Sequence, residues 1–406
     1  MAITATAPPA AGSGVKTRPE WLERAVGQGL ALLLALVIAL GLGAIIILLY
    51  GESPLAVYGS ILRASTTDKD GPAWVLSAAT PLIFSALAVS VCFKGGLFNI
   101  GVEGQYLVAM VTAAWAALHL GDILPGPLLM WGVLLFGILG GMAYAAIPGA
   151  LKVKTGAHEV VTTIMMNGIA VSLVAWALNN PLRYTNAPAG QNVDLRTNIF
   201  PAHAKVPDLG HLLGYGPAPR LSWLFPLAVL AAAIVWFMVK RMRLGYEARA
   251  VGASVGSAQA GGIGIGSVQM KLFLISGALA GLVGMQQILV NNASTSTGGY
   301  LPQNYEATLG FTGIAVAFLG QNNPIGIVFA AIFWASLSRG ESILPIETDM
   351  PREFVIILQG VLIMSVVITY TLAKRRLERR QTGRVLAEEE IVAAEGGPVE
   401  VGEALS

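Results

Sequence analysis

Long apolar runs separated by short polar or glycine-rich gaps set the pattern of this chain from residue 30 to residue 373. Windows of about 19 residues pick out about ten candidate membrane spans, near 30–50, 73–92, 97–118, 126–148, 160–178, 222–239, 270–290, 306–320, 325–343 and 354–373. The first, "LALLLALVIALGLGAIIILLY", has about the 20 residues that a bilayer core requires. It lacks a convincing small-residue cleavage site, so it is expected to be an uncleaved span rather than a signal peptide. The pattern predicts an all-α, polytopic integral membrane protein.

Composition strengthens that reading: 55% of residues are hydrophobic and 12% charged, where soluble domains carry about 25% charge. The 48 glycines suit close helix packing in a membrane. A net charge of +2 is too small to imply a nucleic-acid partner. Cys92 is the single cysteine, which excludes an intramolecular disulfide framework and a thiolate metal cluster.

An even number of spans returns both termini to one side. Basic residues gather in the segments on that side: Lys16, Arg18 and Arg24, then Lys94, Lys152 and Lys154, then Lys240, Arg241, Arg243 and Arg249, and finally "KRRLERR" from Lys374. By the positive-inside rule that side is the cytoplasm. The expected organisation is a cytoplasmic N-terminal tail over 1–28, a transmembrane region over 29–374, and a disordered cytoplasmic tail over 375–406 ending in glutamates. Within it, 179–221 forms a proline-rich outside loop and 240–268 a loop on the cytoplasmic side.

Several polar residues interrupt the apolar pattern. In "GGLFNIGVEGQ", Gly95 to Gln105, four glycines oppose a straight span and favour a half-helix or a re-entrant turn. Phe98, Asn99, Glu103 and Gln105 are candidates for a solute path. Alternatively, Glu103 accepts hydrogen bonds from freed backbone N–H groups and holds the turn together. Glu159, Thr163 and Asn167 recur every fourth residue and make one polar stripe, which either lines a path or bonds between helices. Gly277 and Gly281 stand at G-x-x-x-G spacing, the mark of a packing face. Beyond them Gln286, Gln287, Asn291 and Asn292 suit an uncharged polar ligand or a helix end. "FKGGLFNIGVEGQ" and "GFTGIAVAFLGQ" hint at two related halves.

Two catalytic look-alikes fail. "GASVG" has the G-x-S-x-G spacing but lacks a preceding strand, and "GSGVKT" lacks the P-loop frame. No cofactor site follows, and ATP cannot be argued to bind this chain. His158 has no companion at metal-ligand spacing. The segment "KRMRLGYEARAVGASVGSAQAGGIGIGS" is too polar to insert. From Glu247 to Ala260 it predicts a short amphipathic helix outside the membrane, with a narrow apolar edge at its Ala and Val positions and a glycine-rich return.

"LFNIGVEGQ", "HEVVTTIMMNGIAV", "GYEARAVGASVGSAQAGGI" before "SGALAGLVG", and "FVIILQGVLIM" together resemble permease subunits of ABC importers in the branched-chain amino acid, ribose and nucleoside permease superfamily, most of all its nucleoside branch. The similarity covers about residues 30–375. It implies a type II importer fold and transport of a nucleoside or simple sugar. It also implies a cytoplasmic ATPase that binds ATP and Mg, a second permease subunit (a homologous heterodimer partner), and an extracytoplasmic substrate-binding protein. On this resemblance Glu247, Arg249, Val251, Gly252, Gly261 and Gly262 would form the coupling helix and its return. Thr163, Asn167, Gln287 and Asn291 would join Phe98, Asn99, Glu103 and Gln105 as path candidates. Ala253 stands where the family usually has Asn. An ion-coupled secondary transporter using Glu103 or Glu159 is the alternative.

Overall fold

The computed structural model describes residues 20–185, 195–215, 221–291, 299–369 and 372. Residues 1–19 and 375–406 of the expected tails, part of the 179–221 loop and Asn292 fall outside these residues. Contacts divide the chain into two units, Met1–Leu42 with Met364–Ser406, and Gly43–Ile363. The first unit is helical over its described residues.

In chain order the helices are α1 (Glu20–Leu49), α2 (Pro54–Thr66), α3 (Gly71–Lys94), α4 (Val102–His119), α5 (Pro127–Thr155), α6 (Glu159–Asn179), α7 (Leu224–Arg241), α8 (Arg243–Ala253), α9 (Val255–Ala260), α10 (Ile265–Val283), α11 (Leu309–Leu319), α12 (Pro324–Glu347) and α13 (Glu353–Thr369). A π-helical turn, Gln287–Asn291, follows α10. Prolines open α2, α3, α5 and α12, where a missing N–H costs nothing. Among the described residues no strand forms, only isolated bridges, Arg196 with Pro302 and Asp208 with Ser222.

Helix length does not confirm the expected count of about ten spans. Among the described residues six helices are long and apolar enough to cross a membrane, or seven if α1 and α2, which meet at 117°, make one bent span. The window at 306–320 contains only the 11-residue α11, roughly 16 Å of helix against a core of about 30 Å. The window at 97–118 loses its first residues to a break and keeps Glu103 and Gln105 in α4. Periodicity cannot separate half-helices from spans when both are equally apolar.

The Gly43–Ile363 unit is built around α3, which touches α7, α10, α11 and α12 and is buried almost throughout. By contrast α6 leaves most of its surface outward, as a lipid-facing helix does. The packing face expected at Gly277 and Gly281 is present, and its partner is a second glycine pair on α5. A Cβ on Gly277 would lie 2.5 Å from the carbonyl oxygen of Gly141, and one on Gly281 would lie 2.5 Å from that of Gly137. Such distances are below any real carbon–oxygen contact, so the α5–α10 seam requires glycine on both helices.

Candidate functional site

The glycine-rich stretch is a break, as its composition predicts: α3 ends at Lys94 and α4 starts at Val102. Its polar side chains turn inward onto the protein. Asn99 and Gln105 pair their amides at 3.1 Å in both directions, and Asn99 Nδ2 also donates to Ser276 Oγ at 2.8 Å. The backbone N–H of Gly101 returns to Asn99 Oδ1 at 3.0 Å. Phe98 packs edge-on against Phe93, with ring centroids 4.9 Å apart.

Glu103, only 5% exposed, bonds across to another helix. Its Oε1 accepts from the N–H of Thr308 at 2.8 Å, and its Oε2 from the N–H of Gly310 at 2.8 Å. The Tyr106 hydroxyl also donates to Oε1, at 2.9 Å. Thr308 is the N-cap of α11 and sits in the left-handed region at φ 79°, so the first amides of that helix are satisfied by a carboxylate from α4. Gly310 permits the approach, since a Cβ there would fall 2.5 Å from the backbone nitrogen of Glu103.

The stripe on α6 faces α4. Asn167 Nδ2 donates to the carbonyl of Ile100 at 3.1 Å, and Asn167 Oδ1 accepts from the N–H of Gly104 at 2.8 Å. Thr163 is fully buried and donates to its own helix at Glu159 O, 2.7 Å away. Glu159 pairs with Lys152 at 2.7 Å. Asn167 and Glu159 thus bond outside α6, whereas Thr163 bonds within it.

A cavity of about 880 Å³ opens in the same unit, bordered by α3, α11, α12, α13 and the turn that follows α10. The indoles of Trp74 and Trp334 form apolar walls. Gln286, Asn291 and Gln359 bring amides, and Glu306 and Glu341 bring carboxylates. Gln286 bonds to Ser222 Oγ at 3.0 Å and to Ser77 Oγ at 2.8 Å. Gln359 Nε2 donates to Ser338 Oγ at 2.9 Å. Asn291 is therefore at the cavity as a sequence candidate, whereas Gln287 is not on its wall. Gln287 is buried, and its Oε1 has no hydrogen-bond partner among the described residues. Gln286 immediately precedes the π-helical turn and Gln287 opens it.

Sequence reasoning missed Trp74, Glu306, Trp334, Glu341 and Gln359. Glu341 lay inside a predicted span, and an ionisable residue at that depth is itself a signal.

Between α7 and α10 the chain forms two helices, not the single one expected from Glu247 to Ala260. It breaks at Ser254, whose side chain accepts the N–H of Ser257 at 3.3 Å. Glu247 pairs with Arg243 at 2.6 Å, one turn away. Val251 is buried, Arg249 donates to the carbonyl of Val239, and Gly261 and Gly262 are open to solvent. Gly252, expected in the coupling helix, packs closely against the end of α3. A Cβ there would lie 2.4 Å from the carbonyl oxygen of Lys94, so its missing side chain serves a contact with the chain's own α3 end rather than an incoming partner. The outward face instead carries Tyr246, Arg249, Val255 and Gln259.

A helical membrane bundle with broken helices around a polar cavity is the build of a solute permease. Residues 72–367 match the sequence model of the branched-chain amino acid transport system permease components, and the chain belongs to that family. It is 34% identical to the guanosine ABC transporter permease protein NupP of Bacillus subtilis, over 84% of this chain and 93% of that one. It is 30% identical to a glucose ABC transporter permease of Haloferax volcanii, over 86% and 88% of the two chains. A second Bacillus subtilis protein, the guanosine ABC transporter permease NupQ, is 27% identical over 70% and 86%.

Proposed function

We propose that this multi-pass permease carries a nucleoside or related simple sugar inward, driven by ATP that a separate subunit hydrolyses. The observation that carries this reading is the cavity, which is lined by two tryptophans together with amide and carboxylate side chains. Aromatic walls suit a planar base, and the polar groups suit ribose or sugar hydroxyls. The names of the relatives, guanosine and glucose permeases, support the same solute class. Asn291 would meet the solute directly. Phe98, Asn99, Glu103, Gln105, Thr163 and Asn167 would fix the broken helices that border the path, with Gln287 in the turn beside it.

The partners follow from the same reading. ATP and Mg belong to a cytoplasmic ATPase seated on α8 and α9, against Arg249 and the glycines Gly261 and Gly262. Glu247 and Val251 would hold α8 in shape, and Gly252 would anchor it to α3. Closure of the ATPase pair would push this element and switch the cavity between two accessible states. A second permease completes the pair, a reading supported by the two guanosine permeases of Bacillus subtilis. A substrate-binding protein would deliver solute to the outside, and both termini would lie in the cytoplasm of a bacterial plasma membrane.

The test is reconstitution of this chain with its co-encoded ATPase and second permease in liposomes. Uptake of labelled adenosine or glucose in the presence of the binding protein should require ATP and should stimulate its hydrolysis. Uptake that ignores ATP and follows an imposed proton gradient would replace this reading with an ion-coupled transporter.

A further inference from the structure

The permease reading of the cavity leaves its charge selectivity unassigned, and the inference that follows rests on that reading. The N-terminus of α11 borders the cavity through Thr308, Leu309 and Thr312. A helix start of this kind, with unpaired N–H groups and the positive end of the dipole, is a ready site for a carboxylate or phosphate. Broken helices in transporters commonly meet the anionic group of a substrate that way. Here the position is already filled from within the chain, because Glu103 takes the N–H groups of Thr308 and Gly310, each at 2.8 Å.

Two further observations point the same way. Glu306 and Glu341 both line the cavity, and no Lys, Arg or His does so among the described residues. Arg339, two residues before Glu341, lies over the ring of Trp74 at 5.1 Å and is not part of the wall. An entering anion would thus meet two carboxylates, no cation, and a helix end that a third carboxylate occupies. A neutral solute meets aromatic faces and amides instead.

We propose that Glu103, Glu306 and Glu341 act together as a charge filter, so that the cavity admits a neutral nucleoside or sugar and bars solutes bearing a free carboxylate or phosphate. Glu103 removes the anion site, and the other two repel an anion that reaches the cavity. Amino acids and nucleotides are excluded by the same chemistry.

The test uses the full chain in lipid nanodiscs, without the binding protein, so that its own selectivity is read. Adenosine and adenosine 5′-monophosphate are titrated separately, followed by the intrinsic tryptophan fluorescence of the chain. Wild type should bind the monophosphate at least about tenfold more weakly than adenosine, a difference of about 1.4 kcal/mol. The double variant Glu306→Gln, Glu341→Gln should shrink that ratio to within about threefold, whatever its own affinity for adenosine. If the double variant is not monodisperse, Glu306→Gln alone carries the test, since Glu306 lies outside the helices. Equal binding of both solutes by wild type, or an unchanged ratio in the variants, would overturn the filter and leave the permease reading standing. Silence toward adenosine, the monophosphate and glucose alike would overturn the filter by removing the cavity as the solute path.

Discussion

Two polar regions lie side by side in this bundle, and Thr308 belongs to both. At the junction of α4, α6 and α11, the side-chain oxygens of Asn99, Glu103 and Asn167 accept backbone N–H groups freed by broken helices. In the adjoining cavity, Glu306, Glu341 and Asn291 face open space. The residue types are alike and the sequence contrast with apolar neighbours is equally sharp. What differs is whether the backbone has claimed the polar atoms. Polarity inside an apolar chain therefore marks a site only after the needs of the backbone have been met.

Substitutions that separate the two regions sharpen this contrast. Glu103→Leu is expected to have the largest effect, because it strips two buried N–H groups of their acceptor at about 1–3 kcal/mol each. The yield of monodisperse protein should fall steeply, while Glu103→Gln, which keeps one acceptor oxygen, should retain most of it. Wild-type yield from the Leu variant would mean that the junction is not structural. Asn167→Ala ranks next: it frees the Gly104 N–H and the Ile100 carbonyl and should cost about 1–3 kcal/mol, read as a lower melting temperature in detergent. A loss of transport with unchanged melting would instead move Asn167 to the path.

Thr312→Val tests the other side, since Thr312 lines the cavity. Its stability should change by no more than about 1 kcal/mol, while its apparent affinity for adenosine shifts measurably. Smallest of all is Arg243→Ala, which breaks the exposed pair with Glu247. It should alter stability by about 0.5 kcal/mol or less, and a larger loss in co-purified ATPase than in melting temperature would tie that helix to the partner.

The junction was more legible than the cavity for a definite reason. Glycines, an Asn and a Glu crowded into eleven residues announce a break, because local composition alone opposes a helix there. The seam was half legible: Gly277 and Gly281 stood out by spacing, whereas Gly137 and Gly141, which make the same contact from α5, were overlooked. The single helix expected from Glu247 to Ala260 missed the cap at Ser254, a signal carried by one residue. The cavity assembles Trp74, Gln286, Glu306, Glu341 and Gln359 from five separate stretches, and no spacing rule connects them.

By itself the sequence determined that this protein is helical, membrane-embedded and broken near Gly95–Gly101, because hydropathy and backbone freedom are local properties that tertiary contacts seldom reverse. Only the tertiary structure decided that Glu103 reaches α11, that Gln286 rather than Gln287 meets the cavity, and that Gly252 seats against Lys94. Each depends on which distant segment lies within hydrogen-bond or van der Waals range, and packing of the whole bundle sets that distance.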